Sequence, residues 1–315
     1  MKEILRAHSY RPSRRDLNYA VCTQFLFMHL ACLLAFVTGV SAAAVVTCLA
    51  LYVVRMFAIT AGFHRLFSHR SYKTGRLFQF LLACVGTAAY QKGPLWWSAH
   101  HRHHHLHVDT EADLHSPVMH SVWQSHVGWF LSRGSQATDA RLIPNLLKYR
   151  ELRWLDKYYV LPPSMLAAST FLMGSLLGRY FPGSGISGGQ MLVWGFFIST
   201  VLLYHGTFTV NSVAHLFGNR RFETADNSRN NFLVALITLG EGWHNNHHYY
   251  PPSERQGFYW WEVDVAHYAL RALSWMRVVR DLRKPPEGWR RAGTSRPGAR
   301  TSRRNALRRE AASRP

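Results

Sequence analysis

The residues in this chain that are best suited to chemistry are histidines, which recur in short clusters. The clusters contain His64 and His69, then His101, His104 and His105, and later His244, His247 and His248. Asn211 and His215, in the sequence NSVAH, form a fourth element. Because residues i, i+3 and i+4 share one face of a helix, each HxxHH segment is predicted to point its imidazoles at a common point. This arrangement is typical of metal ligands.

The type and number of these ligands indicate which metal to expect. Imidazole suits iron, zinc, copper and nickel, and the nine clustered histidines are too many for one ion, so we expect two metals. Structural zinc sites usually include cysteine. The four cysteines (Cys22, Cys32, Cys48 and Cys84) instead lie in apolar surroundings without a CxxC pair, which makes zinc the weaker candidate.

The elements that must position these histidines include four apolar blocks of about 20 residues, the length needed to cross a bilayer. The blocks lie at about 17–37, 40–61, 161–181 and 191–210. Short connections at 38–39 and 182–185 predict two antiparallel hairpins. We therefore predict an all-α membrane protein over residues 17–280. Four transmembrane helices form the two hairpins, and a cytoplasmic helical cap, formed by 62–160 and 211–280, carries the histidines.

Much of the net charge of +20 lies at the ends of the chain. Residues 1–16 form a basic segment, and residues 281–315 form a basic tail, rich in Arg, Ser, Gly and Pro, that is expected to be disordered. The positive-inside rule places both termini and all the histidine clusters in the cytoplasm. We expect the tail to contact anionic membrane lipids and not nucleic acid. The first apolar block is expected to be a retained span, not a cleaved signal peptide.

Two further segments are predicted to bring the second and third clusters to the membrane boundary. Residues 77–90 are apolar but too short to span, which predicts an interfacial or re-entrant helix. After Pro94, a helix over 95–107 is predicted to carry the second cluster. Gly240, Gly242 and the Pro251–Pro252 pair bracket the third cluster, so its helix should be short.

Four segments are specific enough to suggest a family. They are TAGFHRLFSHRSYK, HHRHHH followed by DTEADLH, NSVAHLFG, and GEGWHNNHHYYP. In their order and spacing, over about residues 15–275, they resemble the integral-membrane fatty acid desaturases, above all the bacterial stearoyl-CoA (Δ9 acyl-CoA) type. The resemblance implies O2-dependent insertion of a cis double bond, expected at Δ9, into a C16–C18 acyl-CoA. It also implies a multi-pass protein of the bacterial cytoplasmic membrane.

The resemblance further implies a nonhaem di-iron centre whose ligands are the only catalytic residues. One iron would take His64, His101, His105 and His248, with Asn211 reaching it through water. The other would take His69, His104, His215, His244 and His247. Other histidines fall outside the family pattern, among them His100, His103, His107, His115, His120, His126 and His205. His29 and His205, inside apolar blocks, are interpreted as satisfied interior polar groups.

Reduction of O2 needs electrons from a partner. The sequence contains neither an HPGG-type haem-binding segment nor a cysteine cluster for iron and sulfur, so an external donor is expected. The candidates are a ferredoxin, a rubredoxin or a cytochrome b5 type of protein with its reductase. A basic cytoplasmic surface would attract an acidic donor.

Several residues are candidates for contact with the acyl substrate. Tyr52 and Met56 precede His64 on the second span and could form the closed end of an acyl channel, or simply pack between helices. Gln91, Trp96 and Trp97 could line the channel, although an interfacial aromatic belt explains both tryptophans equally well. Basic groups could bind CoA phosphates or lipid phosphate; they are Arg65, Arg70, Lys73 and Arg102.

Asp109, Glu111 and Asp113 follow the second cluster. Metal-bound imidazoles commonly donate their other N–H to carboxylates, so these residues could orient the ligands. They could equally form a solvated acidic loop or cap helices.

Three alternatives to the acyl-CoA desaturase remain. An acyl chain already attached to phospholipid could be the substrate. A related di-iron membrane hydroxylase would use the same histidines, although its clusters are spaced differently. A metal transporter or sensor is disfavoured because its ligands should lie at bilayer depth along several spans.

Overall fold

A computed structural model of the chain describes residues 16–285 and 287–288. Residues 1–15 of the predicted basic segment and most of the predicted tail 281–315 lie outside these residues. The helices are α1 (Tyr19–Thr38), α2 (Ala42–Ser68), α3 (Arg76–Thr87), α4 (Pro94–His107), α5 (Val122–His126), α6 (Pro144–Leu147), α7 (Arg150–Lys157), α8 (Leu161–Tyr180), α9 (Gly188–Ser212), α10 (Phe232–Ile237), α11 (His244–Tyr249) and α12 (Val265–Trp275). Two short antiparallel strands, β1 (Lys73–Thr74) and β2 (Val279–Arg280), pair with each other.

Four of these helices are long and apolar enough to cross a membrane: α1, α2, α8 and α9. They confirm the predicted all-helical membrane fold with four spans. Helix α2 continues to Ser68, beyond the predicted end at residue 61. Its last part, from Ala58, is fully buried in the cap, so the histidine-bearing end of the helix is surrounded by protein and not by lipid.

Helix α9 is the most enclosed span, because α1, α2 and α8 all pack against it. Its contact with α8 is close because a glycine stands at the crossing. A Cβ atom at Gly174 of α8 would lie 2.5 Å from Ser187 O and 2.6 Å from Met191 Cβ. Small residues that let backbones approach are how helices associate in lipid, where no hydrophobic force draws them together.

The cap begins with α3, a short apolar helix, as predicted for this segment, that packs against the last part of α2. Leu82 and Ala83 are buried against the core, whereas Leu77 and Leu81 are exposed. Helix α4 then starts at Pro94, as predicted, and carries the second cluster. Its first free N–H groups are capped by a residue that is distant in the sequence. Asp156 Oδ1 accepts hydrogen bonds from the N–H of Leu95 and of Trp96, each at 3.0 Å.

A buried ion-pair network joins α2 to the later part of the cap. The Arg65 guanidinium donates to Asp264 Oδ1 at 2.9 Å, to Glu254 O at 2.7 Å and to Glu241 Oε1 at 3.4 Å. All four side chains are buried. Arg65 is a candidate phosphate-binding residue in the sequence, but in the structure its guanidinium binds carboxylates of the protein itself. The network fixes α2 against the segments that flank α11 and α12.

Replacing Arg65 tests how far the cap depends on this network. Arg65→Met leaves buried carboxylates without their cation, so we expect the free energy of unfolding to fall by about 3–5 kcal/mol. The control is Arg76→Met, which removes an exposed ion pair with Glu151 and should change stability little. Thermal unfolding of the metal-loaded proteins in the same detergent measures both. Equal midpoints for the two variants would contradict the structural role of Arg65.

Candidate metal centre

A change in the winding of α2 brings the first histidine pair together. His64 and His69 are five residues apart, which in an α-helix would place them about 140° apart around the axis. From Ala58 to Ser68, however, the helix is a π-helix, whose hydrogen bonds join residues i and i+5. The His69 N–H donates to His64 O at 3.2 Å, and the two ring centroids are 4.8 Å apart. No motif in residues 58–68 predicts this winding.

The clustered histidines form two groups. The first contains His64, His69, His101, His105 and His247, and the second contains His104, His215, His244 and His248. Within each group the candidate ligand atoms lie within 4.8 Å of one another. The assignment implied by the resemblance put His69 and His247 with the second ion and His248 with the first. In the structure His69 and His247 instead lie with the first group and His248 with the second, and the nine grouped histidines are those that the resemblance implied.

Helix geometry explains the division. In α4, His101 and His105 are i and i+4 and stay in the first group, whereas His104, at i+3, belongs to the second. Positions i+3 and i+4 differ by about 100° around the axis, so only the i, i+4 pair shares a direction. In α11 the two groups are exchanged. His244 and His248, at i and i+4, belong to the second group, whereas His247, at i+3, belongs to the first. The prediction that each HxxHH segment aims at a common point is therefore wrong: each helix contributes to both groups.

The ring nitrogens of the first group are spaced as ligands of one ion would be. His101 Nε2 lies 2.7 Å from His69 Nε2 and 3.0 Å from His105 Nε2. His247 Nε2 lies 2.9 Å from His105 Nε2 and 3.1 Å from His64 Nε2. Two nitrogens bound to one ion at about 2.1 Å and at right angles are about 3.0 Å apart. The donor set and its spacing therefore fit a metal ion.

The second group fits in the same way. His215 Nε2 lies 3.0 Å from His244 Nε2. His248 Nε2 is buried and has no hydrogen-bond partner among the described residues. A buried polar atom is normally paired, so an unpaired nitrogen within a group of ring nitrogens fits a metal ligand.

Carboxylates contact the opposite nitrogen of four of these rings. The Nδ1 pairs are His104 with Asp113 at 3.0 Å, His215 with Asp109 at 3.4 Å, His248 with Asp226 at 3.0 Å, and His64 with Glu241. A neutral imidazole that donates from Nδ1 presents the lone pair of Nε2. These contacts therefore select the tautomer that a metal ligand needs and fix the ring orientation.

The sequence predicted half of these carboxylates. Asp109 and Asp113 contact histidine rings, which is the ligand-orienting alternative, whereas Glu111 is exposed, which is the solvated-loop alternative. Asp226 and Glu241 were missed. Glu241 stands three residues before His244, a spacing that could have suggested it. Asp226 lies far from every histidine cluster in the sequence and carried no such signal.

The protonation states suit metal binding. Burial, followed by the charge of neighbouring imidazoles, holds the pKa of His101, His105 and His247 well below the usual histidine range, so these rings are neutral. Burial alone would raise the pKa of Asp226. The hydrogen bond and charge of His248 outweigh burial and lower that pKa, so the carboxylate stays ionised.

The carboxyl of Asp113 behaves in the same way. Burial acts to raise its pKa, but the charges of His104 and His115 outweigh burial and place the pKa below the usual range. Burial also lowers the pKa of His115 to about 3, against the opposing effect of Asp113. His115 thus stands as a neutral ring behind the second group, with a ring centroid 4.4 Å from that of His104.

Two cavities meet beside the histidine groups. The larger has a volume of about 900 Å³ including its open mouth, and the smaller about 490 Å³. Both are lined by Trp97, His101, His115, Thr207 and Asn211, so these residues mark the junction. The smaller cavity is also lined by His64 of the first group and by His104 and His244 of the second, so Asn211 shares this cavity with members of both groups.

The predicted substrate residues are distributed along these cavities. Gln91, Trp96 and Trp97 line the larger cavity, where Gln91 Nε2 donates to Thr207 Oγ1 at 3.1 Å. Met56, which is buried, lines the smaller one. Tyr52 lines neither of these two cavities, and its hydroxyl donates to Ile237 O at 2.6 Å.

Arg102 has a different environment from the one predicted. Its guanidinium donates to Phe67 O at 2.6 Å, Ser68 O at 2.9 Å, Leu142 O at 2.7 Å and Asn145 Oδ1 at 2.7 Å. These bonds clamp α4 to the end of α2 and to the loop before α6. They occupy the donors that binding a phosphate would require, so the position favours a structural role.

The interior histidines of the spans are paired, as predicted. His29 Nε2 and His205 Nε2 are 3.0 Å apart, and His205 Nδ1 is 3.0 Å from His126 Nε2. His29 also bonds Phe25 O through Nδ1 at 2.8 Å. This chain of rings joins α1, α5 and α9 outside the two ligand groups.

Comparison with known proteins agrees with this site. The family model described as "Fatty acid desaturase" matches residues 40–286, which contain every candidate ligand. The chain is 35% identical over 244 residues to the acyl-CoA C20 Delta5-desaturase of Anemone leveillei, covering 76% of this chain and 74% of that protein.

Two bacterial relatives are similar over more of the chain. The sn-1 stearoyl-lipid 9-desaturase of Anabaena variabilis is 36% identical over 269 residues, 84% of this chain and 91% of that protein. The sn-1 stearoyl-lipid 9-desaturase of Synechocystis sp. is 37% identical over 265 residues, 84% of this chain and 79% of that protein. With its four apolar spans and its metal-binding histidine groups, the chain belongs to the fatty acid desaturase family, whose members are iron-dependent oxidoreductases of lipid metabolism.

Proposed function

We propose that this protein is an O2-dependent desaturase that inserts a cis double bond at Δ9 of a C16–C18 acyl chain and uses two iron ions. The observation that carries the proposal is the junction of the two cavities at Trp97, His101 and Asn211, directly beside both histidine groups. An acyl chain threaded through the cavities would have a middle methylene pair, and not an end, next to the ions.

The charge balance supports two divalent ions. A metal-bound imidazole is a neutral ligand, and four carboxylates contact the rings: Asp109, Asp113, Asp226 and Glu241. Glu241 is also paired with Arg65, whereas the other three form no ion pair with Lys or Arg among the described residues. Their three negative charges exceed the charge of one divalent ion, and buried uncompensated charge is costly, which supports two ions.

Bound iron supplies the oxidising power of O2 that removal of hydrogen from an unactivated methylene requires. The protein's own residues position the chain and exclude water. Trp97 stacks on His101, with ring centroids 5.2 Å apart, and forms one wall of the junction. Phe25, Trp129 and Phe208 line the larger cavity with apolar surface that suits an alkyl chain.

We propose a CoA thioester as the carrier of the acyl chain, with a glycerolipid ester as the alternative. Lys92, at the larger cavity, places a cation over the Tyr159 ring at 4.7 Å and could bind a phosphate of either carrier. The relatives include enzymes named for each carrier. Purified enzyme supplied separately with stearoyl-CoA and with a stearoyl glycerolipid in vesicles distinguishes the two.

We also propose that the histidine-bearing face lies in the cytoplasm of a bacterial cell, where an external one-electron donor of the ferredoxin, rubredoxin or cytochrome b5 type binds. The connections between α1 and α2 and between α8 and α9 lie on the opposite face. Neither connection, at residues 39–41 and 181–187, contains Lys or Arg, which supports this orientation by the positive-inside rule.

The reaction itself is tested by lipid analysis of cells that express the protein with an electron donor. We expect new cis-monounsaturated C16 or C18 chains, with the double bond located by chemical derivatisation and mass spectrometry. The double variant His101→Ala, His105→Ala should abolish them, because both rings belong to the first group. The control His107→Ala, on the same helix but outside both groups, should retain them. Products that gain an oxygen atom would instead establish a hydroxylase.

Metal affinity tests the role of the missed carboxylate. In Asp226→Asn, His248 keeps its ring but loses the ionised acceptor, so we expect iron affinity to fall by about 10–100-fold. Chelator competition and elemental analysis of the purified protein measure the effect. The control is Glu111→Gln, which removes an exposed carboxylate that contacts none of the nine histidines. This variant should still bind two irons per chain. Equal affinities for the two variants would refute the assignment.

Chain-length selectivity tests the position of Met56. Met56→Ala enlarges the smaller cavity, so longer acyl chains should be accepted. Since burial of one methylene contributes about 0.8 kcal/mol, we expect the preference to shift by about fourfold for each added carbon that the space accepts. Competition between C16, C18 and C20 substrates measures the ratio. An unchanged ratio would mean that Met56 does not bound the substrate.

A further inference from the structure

Helix α7 carries a row of basic side chains on its outer face. Its exposed residues are Arg150, Arg153, Trp154 and Lys157, and its buried apolar residues are Leu152 and Leu155. At about 100° per residue, the four exposed residues lie within an arc of about 100°, on the side of the helix opposite to the two leucines. We call Arg150, Arg153 and Lys157 the basic stripe. None of these three cations has a carboxylate partner among the described residues.

The two carboxylates of the same helix are bound to other groups of the protein. Glu151 accepts two hydrogen bonds from the Arg76 guanidinium, at 2.7 Å and 2.8 Å. Asp156 Oδ1 accepts from the N–H groups of Leu95 and Trp96 at the start of α4. Neither carboxylate neutralises the basic stripe, so the outer face of α7 has a net positive charge. Such a face attracts anions.

An open groove lies beside the basic stripe, between the end of α7 and the first turn of α8. Its volume is about 740 Å³ including its open mouth, and it is lined by Trp154, Lys157, Tyr158, Val160, Leu161 and Ser164. The Ser164 hydroxyl donates to Val160 O at 2.9 Å, so this polar group is already satisfied. The groove therefore combines one free cation, Lys157, with walls that suit an alkyl chain.

The groove lies where the chain enters the membrane. Helix α8 is one of the four spans, and its first residue, Leu161, lines the groove. Trp154 and Tyr158 are each 46% exposed there. Tryptophan and tyrosine are enriched at the boundary between a bilayer and water, and lysines near helix ends extend their ammonium groups to the lipid headgroups. Lys157 thus lies at the level of the lipid phosphates, and Leu161 at the level of the first acyl carbons.

The groove is separate from the two cavities beside the histidines. No residue that lines the groove lines either cavity. Two consecutive tyrosines mark the division, because Tyr158 lines the groove whereas Tyr159 lines the larger cavity, where its ring lies beneath Lys92. A molecule in the groove would therefore lie beside the mouth of the larger cavity and outside it.

We propose that the basic stripe and the groove form a binding site for one anionic phospholipid. Arg153 and Lys157 are i and i+4 on α7, so they are neighbours on its surface and together bind the phosphate. An acyl chain of the lipid lies against Val160 and Leu161. A lipid fits better than an acidic protein, because the apolar part of the site continues onto a span. The bound lipid holds the turn between α7 and α8, and with it Tyr159, at the membrane surface.

The first test removes the charges of the site. The metal-loaded protein in detergent is titrated with dioleoylphosphatidylglycerol or dioleoylphosphatidylcholine, and the lipid-bound fraction is measured by native mass spectrometry. We expect the phosphatidylglycerol to bind more tightly. The double variant Arg153→Gln, Lys157→Gln should bind it about 30-fold more weakly, the effect of two basic residues near an anionic surface. The control Arg271→Gln, Arg277→Gln removes the same charge from exposed positions in and after α12 and should bind it as the wild type does. Equal losses in the two double variants would overturn the site.

The second test distinguishes a lipid from an acidic protein, the other partner that a basic face attracts. Ser164→Trp fills the groove without changing the charge, and because Ser164 is exposed the fold should be kept, which the iron content and the thermal midpoint establish. Binding of the phosphatidylglycerol should weaken about tenfold, equivalent to the loss of about two buried methylene groups. Unchanged binding would mean that the basic stripe acts through charge alone, as a surface for an acidic protein, and would overturn the lipid site.

Discussion

Nine imidazole nitrogens that converge in a buried space repel one another through their lone pairs unless cations lie between them. Much of the cap is organised to hold this unfavourable arrangement. Four carboxylates fix the tautomer and orientation of four rings. Glu241, which contacts His64, is itself held by Arg65, and Arg65 is held by Asp264. The orientations of these four rings are thus restricted by the fold before a metal binds, which is part of the preorganisation that tight and specific binding requires.

The sequence predicted which helices and histidines form this site better than it predicted which histidines group together. The histidine set, the start of α4 at Pro94 and the four spans follow from spacing, apolar length and helix-start residues, which are local properties. The division of the histidines into two groups differs at His69, His247 and His248 from the one implied by the resemblance. The spacing alone predicts a common direction for each HxxHH segment, whereas positions i+3 and i+4 differ by about 100° around the helix axis. The π-winding of α2 has no comparable local signal: it depends on how residues 58–68 pack inside the cap.

Tertiary partners were the least predictable part. Asp226 reaches His248 across 22 positions of sequence, and Arg65 meets Asp264 across 199. Arg102 and Arg65 looked like exposed cations in the sequence, yet both are bound to protein oxygens, because a charge in this cap is stable only when its hydrogen bonds are satisfied. Glu111 shows the converse: a carboxylate between two that contact histidines still faces solvent.

The sharing of α4 and α11 between both histidine groups has a consequence for assembly of the holoenzyme. An ion that binds the first group orders His101, His105 and His247, and the same helices then hold His104, His244 and His248 at the second. Most of the conformational entropy of these helices is lost when the first ion binds. The second ion therefore binds to side chains that are already ordered. Loading should accordingly be cooperative. A chain with one ion would be a minor species, and half-supplied cells would contain a mixture of full and empty protein.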